Sequence, residues 1–224
     1  MIGPLALAAA LVLYNGLANR RRAFHGWAYV PMNLTLAVVV GLLGIRLFDL
    51  DREALGADGT SWWVGLAIGL GAMAPVCALL FFERGRRLLR DPRLAGEHGW
   101  RAAFVIGVRI PIGTAAVEEF VFRGVLLASM LERGNAIAIT VSSAAFGLWH
   151  IVPTMDLSRA NRLSAAVVPV GVVLTAASGA FLSWLRLETG SLAAPMLLHA
   201  SINSLAAFAA ILALRSCDPP RLNR

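Results

Sequence analysis

The sequence predicts an all-α membrane protein, a polytopic transmembrane helical bundle of about seven spans with the N-terminus outside and the C-terminus cytoplasmic. Three observations predict it. The chain has 224 residues, 58% of them hydrophobic, and its mean hydropathy of +0.71 lies outside the range of soluble globular domains. Apolar stretches recur at close to the length, about 20 residues, that crosses the hydrocarbon core. The arginines cluster in alternate connections. Strand-like alternation is absent, and in lipid only helices or closed barrels satisfy every backbone donor and acceptor.

Residues 2–18 form the first apolar stretch. No basic region precedes it and Arg20, Arg21 and Arg22 follow it, so it reads as a retained anchor and not a cleaved signal. The second stretch covers 27–45 and the third 62–82. The connection 83–100, "ERGRRLLRDPRLAGEHGW", has a turn at Asp91-Pro92 and is expected to be a solvated loop, the alternative being that its first half lies on the membrane surface. The fourth hydrophobic region surrounds Glu118, and the last three cover 136–149, 163–185 and 191–214. Pro31, Pro75, Pro111, Pro169 and Pro195 fall in or near spans, where proline is tolerated and kinks the helix. Small residues in "GLAIGLGAMA" and "TAASGA" let helices approach closely. No repeat or second domain interrupts this pattern, so the expectation is one domain over 1–224 with a motif-bearing core at about 102–214.

Charge supplies orientation. Arginines gather after the first span (Arg20, Arg21, Arg22), after the third (Arg84, Arg86, Arg87, Arg90, Arg93, Arg101), after the fifth (Arg159, Arg162) and after the seventh (Arg215, Arg221, Arg224). The connections between these hold only Arg46, Arg52, Arg133 and Arg186, and one of them carries Asp49, Asp51, Glu53 and Asp58. The net charge of +7 therefore speaks for membrane orientation, with the bilayer as a partner, and not for nucleic acid. Every basic residue is arginine, a sign of a GC-rich genome, so the expected location is a bacterial cytoplasmic membrane. Cys77 in a span and Cys217 in the tail do not make a disulfide framework.

Ionisable residues inside the spans are few: Arg109, Glu118, Glu119, Arg123, His150 and His199. A charge near mid-membrane costs about 2.5–3.5 kcal/mol on insertion scales, so groups this concentrated should face one another or water. At about 100° per residue, Glu119 and Arg123 share a helix face with the acid N-terminal to the base, the favourable order for an ion pair. That pairing leaves Glu118, about 100° away, free for chemistry. Arg109 is expected to snorkel to the interface. In "FGLWH" Phe146 and His150 share a face, and in "HASIN" His199 and Asn203 do. A lone membrane histidine or asparagine is often packing glue; a carboxylate, two imidazoles and a carboxamide from three helices together describe a polar site.

These residues also carry a resemblance. "EEFVFR", "FGLWH" and "HASIN" resemble the Glu-Glu-x-x-x-Arg, Phe-x-x-x-His and His-x-x-x-Asn motifs of the intramembrane proteases related to type II CAAX prenyl endopeptidases, also called CPBP or Abi. The likeness covers roughly 114–205, and "GSLAAPMLLHASIN" is similar to the family's run into its last motif. It implies intramembrane hydrolysis of a peptide bond in a hydrophobic or lipidated peptide. Glu118 with His150 would activate water, His199 and Asn203 would donate to the oxyanion, and Glu119 with Arg123 would orient the helix. No cofactor is expected; the rival is a zinc ion held by Glu118, His150 and His199. A catalytically idle scaffold or immunity protein and a proton-coupled transporter are the alternatives to an enzyme. Substrate identity and oligomeric state do not follow from the motifs. One conflict stands: with His150 near the cytoplasmic end of a span closing at 149 and His199 near the outer start of one opening at 191, straight helices would hold the two imidazoles at different depths, so either the seventh span extends outward beyond Ser191 or Pro195 displaces it.

Overall fold

The computed structural model describes residues 2–18 and 28–216. Arg20, Arg21, Arg22, Trp27, Cys217, Arg221 and Arg224, on which part of the charge and span reading rests, lie outside the described residues. Among those described the fold is all helical. Helix α1 is Ile2–Ala18, α2 is Tyr29–Leu47, α3 is Trp62–Ala78 and α4 is Glu83–Leu89. A long helical track, α5, runs from Trp100–Phe104 through Val105–Ala116, Val117–Glu119 and Phe120–Leu126 to Ala128–Arg133. Then come α6 (Asn135–Trp149), α7 (Ile151–Ala160), α8 (Val167–Thr189) and α9 (Ala193–Arg215).

Five helices are long and apolar enough to cross a membrane: Tyr29–Leu47, Trp62–Phe81, Asn135–Ala160, Val167–Thr189 and Ala193–Arg215. Ile2–Ala18 is a shorter apolar helix. Large apolar side chains such as Val38, Leu42, Trp63, Val173, Leu174 and Phe181 stand exposed on the outside of the bundle, an arrangement unfavourable in water and natural where lipid is the solvent.

Sequence accounts for the contacts. In α1, Leu7, Leu11, Asn15 and Ala18 are buried at the three- and four-residue intervals of one helical face, which packs on α6. Helix α3 lies against α9 so closely that a Cβ on Gly65 would stand 1.7 Å from the Ala194 carbonyl oxygen; only glycine permits that approach. The core around α5 joins Leu11, Val40, Val121, Phe122, Val125, Phe146 and Trp149.

Track α5 departs from ideal winding. Val105–Ala116 and Phe120–Leu126 are π-helical, and Pro111 lies in the first of them, where it removes a backbone donor. Side chains from three other helices bond to carbonyl oxygens along the track. Ser204 of α9 donates to Ile106 (2.9 Å), Asn33 of α2 to Gly113 (2.9 Å) and Ser142 of α6 to Phe122 (2.8 Å). A backbone irregularity at membrane depth persists where such partners exist.

Two boundaries correct the expectations. The stretch 83–100 is not a plain loop: it contains α4, with Glu83 paired to Arg87, and a short 3₁₀ turn at Pro92–Leu94 whose Asp91 carboxylate accepts from the Arg93 backbone N–H at 3.0 Å. The fifth span does not close at 149. It continues to Ala160, broken where His150 takes φ −86° and ψ 5° between α6 and α7.

The second boundary resolves the depth conflict together with the start of α9. Helix α8 ends on Gly190 in the left-handed conformation (φ 62°), a favoured glycine position. Ser191 and Leu192 are buried. The segment 49–60 lies over them, with the Leu192 N–H donating to the Gly56 carbonyl at 2.9 Å and Ser191 Oγ to the Gly59 carbonyl at 3.1 Å. His150 is thus inside a span, and α9 starts beneath a covering loop.

Candidate active site

Track α5 supplies three of the site's side chains. Glu118 is 6% exposed, while Glu119 and Arg123 are fully buried. The i, i+4 pair forms: Arg123 Nη1 donates to Glu119 Oε1 at 3.0 Å. The guanidinium also donates from Nη2 to the Gly179 carbonyl of α8 at 3.1 Å and lies 4.1 Å from the centre of the Phe146 ring. Gly179 leaves room for this contact: a Cβ would stand 3.0 Å from Nη2, so the guanidinium would have to shift by a few tenths of an ångström. With ion pair, carbonyl and ring around it, the cation is held by partners from three helices.

Helix α9 adds a bond that sequence reasoning missed. His199 Nδ1 is 2.8 Å from Glu119 Oε1, so the same carboxylate oxygen serves both the guanidinium and the imidazole. With a carboxylate as partner, Nδ1 carries the hydrogen and Nε2 is turned the other way. That nitrogen stands 4.0 Å from Glu118 Oε2.

The break between α6 and α7 delivers two more groups. His150 Nδ1 bonds to the Phe146 carbonyl oxygen at 2.8 Å, which again leaves Nε2 facing outward, 3.8 Å from Glu118 Oε2. Trp149 Nε1–H donates to Glu118 Oε1 at 3.0 Å. The indole was also missed, although a signal existed: a tryptophan N–H inside a span needs a partner, and Trp149 adjoins His150. Asn15 of α1 donates to the Trp149 carbonyl at 2.6 Å.

The cluster thus brings together Glu118, Glu119, Arg123, His150 and His199, with Phe146 packed against both imidazoles at ring distances of 4.5 and 6.1 Å. Asn203 is half-buried, one helical turn beyond His199; among the described residues no hydrogen bond ties it to the other five motif groups. Glu118 has one oxygen fixed by Trp149, while Oε2 is buried and has no hydrogen-bond partner among the described residues. Two imidazole nitrogens look at that oxygen.

A metal would need tighter donors. Zinc at about 2.0–2.1 Å from nitrogen and oxygen ligands in tetrahedral geometry holds its donors about 3.3 Å apart, against 3.8 and 4.0 Å here. Among the described residues no three His, Cys, Asp or Glu are arranged to hold an ion.

Residues 100–205 match the family model described as Type II CAAX prenyl endopeptidase Rce1-like. No curated protein and no solved structure matches the chain. The matched segment contains Glu118, Glu119, Arg123, His150, His199 and Asn203, and the family is one of proteases. With its apolar helices the chain is an integral membrane protein. Residues 100–205 are thus similar to the Rce1-like type II CAAX prenyl endopeptidase family, the family that the three motifs resemble.

Proposed function

We propose that the protein is an intramembrane endopeptidase that hydrolyses a peptide bond in a hydrophobic or lipidated peptide. The observation that carries this reading is the unpartnered Glu118 Oε2 facing Nε2 of His150 and Nε2 of His199 at 3.8 and 4.0 Å. Two polar atoms about 4 Å apart are bridged by a water making two hydrogen bonds of about 2.8 Å each. Glu118 is the general base and takes the proton as water attacks the scissile carbonyl carbon. His150, with its Nδ1–H held by Phe146, presents Nε2 as an acceptor and orients that water.

His199 serves the other side of the reaction. To donate from Nε2 while Nδ1–H is engaged by Glu119, the ring carries a second proton, and the Glu119 carboxylate beside it offsets the charge. Glu118, Glu119, Arg123 and protonated His199 then sum to zero, the cheapest arrangement for four charges in a membrane. The imidazolium and the Asn203 carboxamide stabilise the oxyanion, a kind of donor whose loss costs about 10²–10³ in turnover in other acyl-transfer enzymes. Glu119 and Arg123 orient the helix and hold His199.

No metal enters this scheme; zinc on Glu118, His150 and His199 is the rival. Seven spans are reached by adding α1 and α5 to the five long helices, and the arginine distribution favours an outer N-terminus and a cytoplasmic C-terminus in a bacterial membrane.

The test uses purified protein in liposomes with a set of hydrophobic peptides, lipidated and not. Glu118→Gln should fold normally and lose cleavage by about 10²–10⁴-fold or more; cleavage at the wild-type rate rejects the assigned base. Activity that vanishes on chelation and returns with zinc would replace the metal-free scheme. Movement of solute or protons across the liposomes without cleavage would make the protein a transporter.

A further inference from the structure

The span Trp62–Phe81 does not run out into a loose connection. At Phe82 the backbone turns extended (φ −114°, ψ 137°), and α4 folds back against what precedes it. A Cβ on Gly85 would stand 2.2 Å from the Leu79 carbonyl oxygen, Arg86 Nη1 donates to the Leu80 carbonyl at 2.9 Å, and α4 packs on α9. Gly85 is buried, and Arg86 and Leu89 are half-buried. At about 100° per residue these three form the inner face of α4, and Arg84, Arg87 and Leu88 the outer one.

That outer face and its flanks carry two kinds of group at once. Phe81, Phe82, Leu88 and Trp100 are 85, 64, 79 and 58% exposed. A lone exposed apolar side chain needs no explanation; large ones recurring along residues 81–100 mark a surface that meets hydrocarbon. Arginines stand among them. Arg87 is paired with Glu83 and Arg93 with Asp91, whereas Arg84, Arg90 and Arg101 are exposed and, among the described residues, no carboxylate pairs with them. The connection at the other end of α3 has the opposite character, with Asp49, Asp51, Glu53 and Asp58 against Arg52.

We propose that residues 81–101 form a binding surface for anionic phospholipid, with Arg84, Arg90 and Arg101 on the headgroup phosphates and Phe81, Phe82 and Leu88 among the upper acyl chains. The two kinds of group together choose the occupant. A soluble acidic partner would pair with the arginines and leave the phenylalanines in water, whereas a lipid brings an anion and hydrocarbon in one molecule. The fold-back of α4 makes the surface a fixed one: its inner face is tied to the end of α3 and to α9, so the outer cations are presented from a packed element. This surface stands apart from the cluster around Glu118, and the inference does not depend on the peptidase reading.

The experiment titrates the purified full chain in neutral detergent with phosphatidylglycerol or with phosphatidylcholine and reads apparent affinity from the rise in the unfolding midpoint. The wild type should bind phosphatidylglycerol at least about tenfold more tightly, an effect that two arginines near an anionic surface supply, and high salt should remove the preference. Arg84→Gln/Arg90→Gln/Arg101→Gln changes exposed positions only and should level the two lipids. Arg46→Gln/Arg133→Gln, a control at exposed arginines of other connections, should keep the preference. Glycerol phosphate, which has the anion without the acyl chains, should not displace the lipid. Equal affinity of the wild type for both lipids, or a preference that survives high salt or the triple substitution, overturns the inference. So does loss of the preference in the control variant, which would make net charge and not this surface responsible. Displacement by glycerol phosphate at the lipid's own concentration overturns it as well and would make the site one for free phosphate.

Discussion

Glu118 and Glu119 are neighbours in the chain, both buried, and differ in their partners. Glu119 is fully buried, and its Oε1 accepts from Arg123 and from His199. Glu118 is 6% exposed, is fixed through one oxygen by Trp149 and presents the other to two imidazoles at distances too long for a direct bond. Each keeps an Oε2 without a hydrogen-bond partner among the described residues, but Glu119 is closed by its ion pair with Arg123 and Glu118 is left open to the imidazoles. The difference teaches what a pair of membrane carboxylates is for: the closed one builds the helix packing, so that the open one can be held in place without being neutralised.

Glu119→Gln breaks the closed half and should have the largest effect on stability. It leaves Arg123 buried among Phe146, Phe122 and the Gly179 carbonyl without its countercharge, which costs about 3–5 kcal/mol. Unfolding in a denaturing detergent series should show that loss, whereas Glu118→Gln should show almost none. The double variant Glu119→Leu/Arg123→Met removes both charges together and should recover most of the stability, since an apolar replacement of a buried pair is often neutral. It should not recover turnover, because His199 Nδ1 no longer has a carboxylate. Equal destabilisation by Glu118→Gln and Glu119→Gln would erase the contrast between the two.

Trp149→Phe tests the open half. The ring packing against Phe122, at 5.5 Å, survives, while Glu118 Oε1 loses its donor. A hydrogen bond to a charged group contributes about 1.5–3 kcal/mol, so kcat should fall about tenfold to a hundredfold, with KM and the unfolding midpoint little changed. An unchanged kcat would show that Glu118 needs no indole to aim it.

Local features of this site were legible in the sequence and tertiary ones were not. The spacing of four between Glu119 and Arg123 foretold their ion pair, because residues one helical turn apart meet whatever surrounds them. The same interval in "FGLWH" brings His150 against Phe146, with a backbone bond that fixes the imidazole. Nothing local reveals that His199 reaches Glu119, 80 residues away in sequence, or that the Trp149 indole reaches Glu118. Those contacts depend on which helices neighbour one another. Helix ends were the weakest part. Apolar runs ended the fifth span at 149, whereas the chain continues helical past His150, and the buried start of α9 depends on a loop more than 130 residues earlier in the chain. The π-helical winding around Glu118 left no sign beyond Pro111, since the side chains that bond to its carbonyls, Asn33, Ser142 and Ser204, sit on other helices.

The smallest effect expected comes from α1, which lies outside the segment that matches the family. Helix α6 ends at Trp149, and a carbonyl at a helix end lacks its intrahelical partner; Asn15 supplies one at 2.6 Å. Through that bond α1 steadies the break that carries both Trp149 and His150. Asn15→Ala should therefore cost about 0.5–1.5 kcal/mol of stability and lower kcat by less than Trp149→Phe does. A kcat loss as large as that of Trp149→Phe, with stability unchanged, would mean that α1 aims the indole directly, and the open half of the site would then extend beyond the matched residues to the first helix.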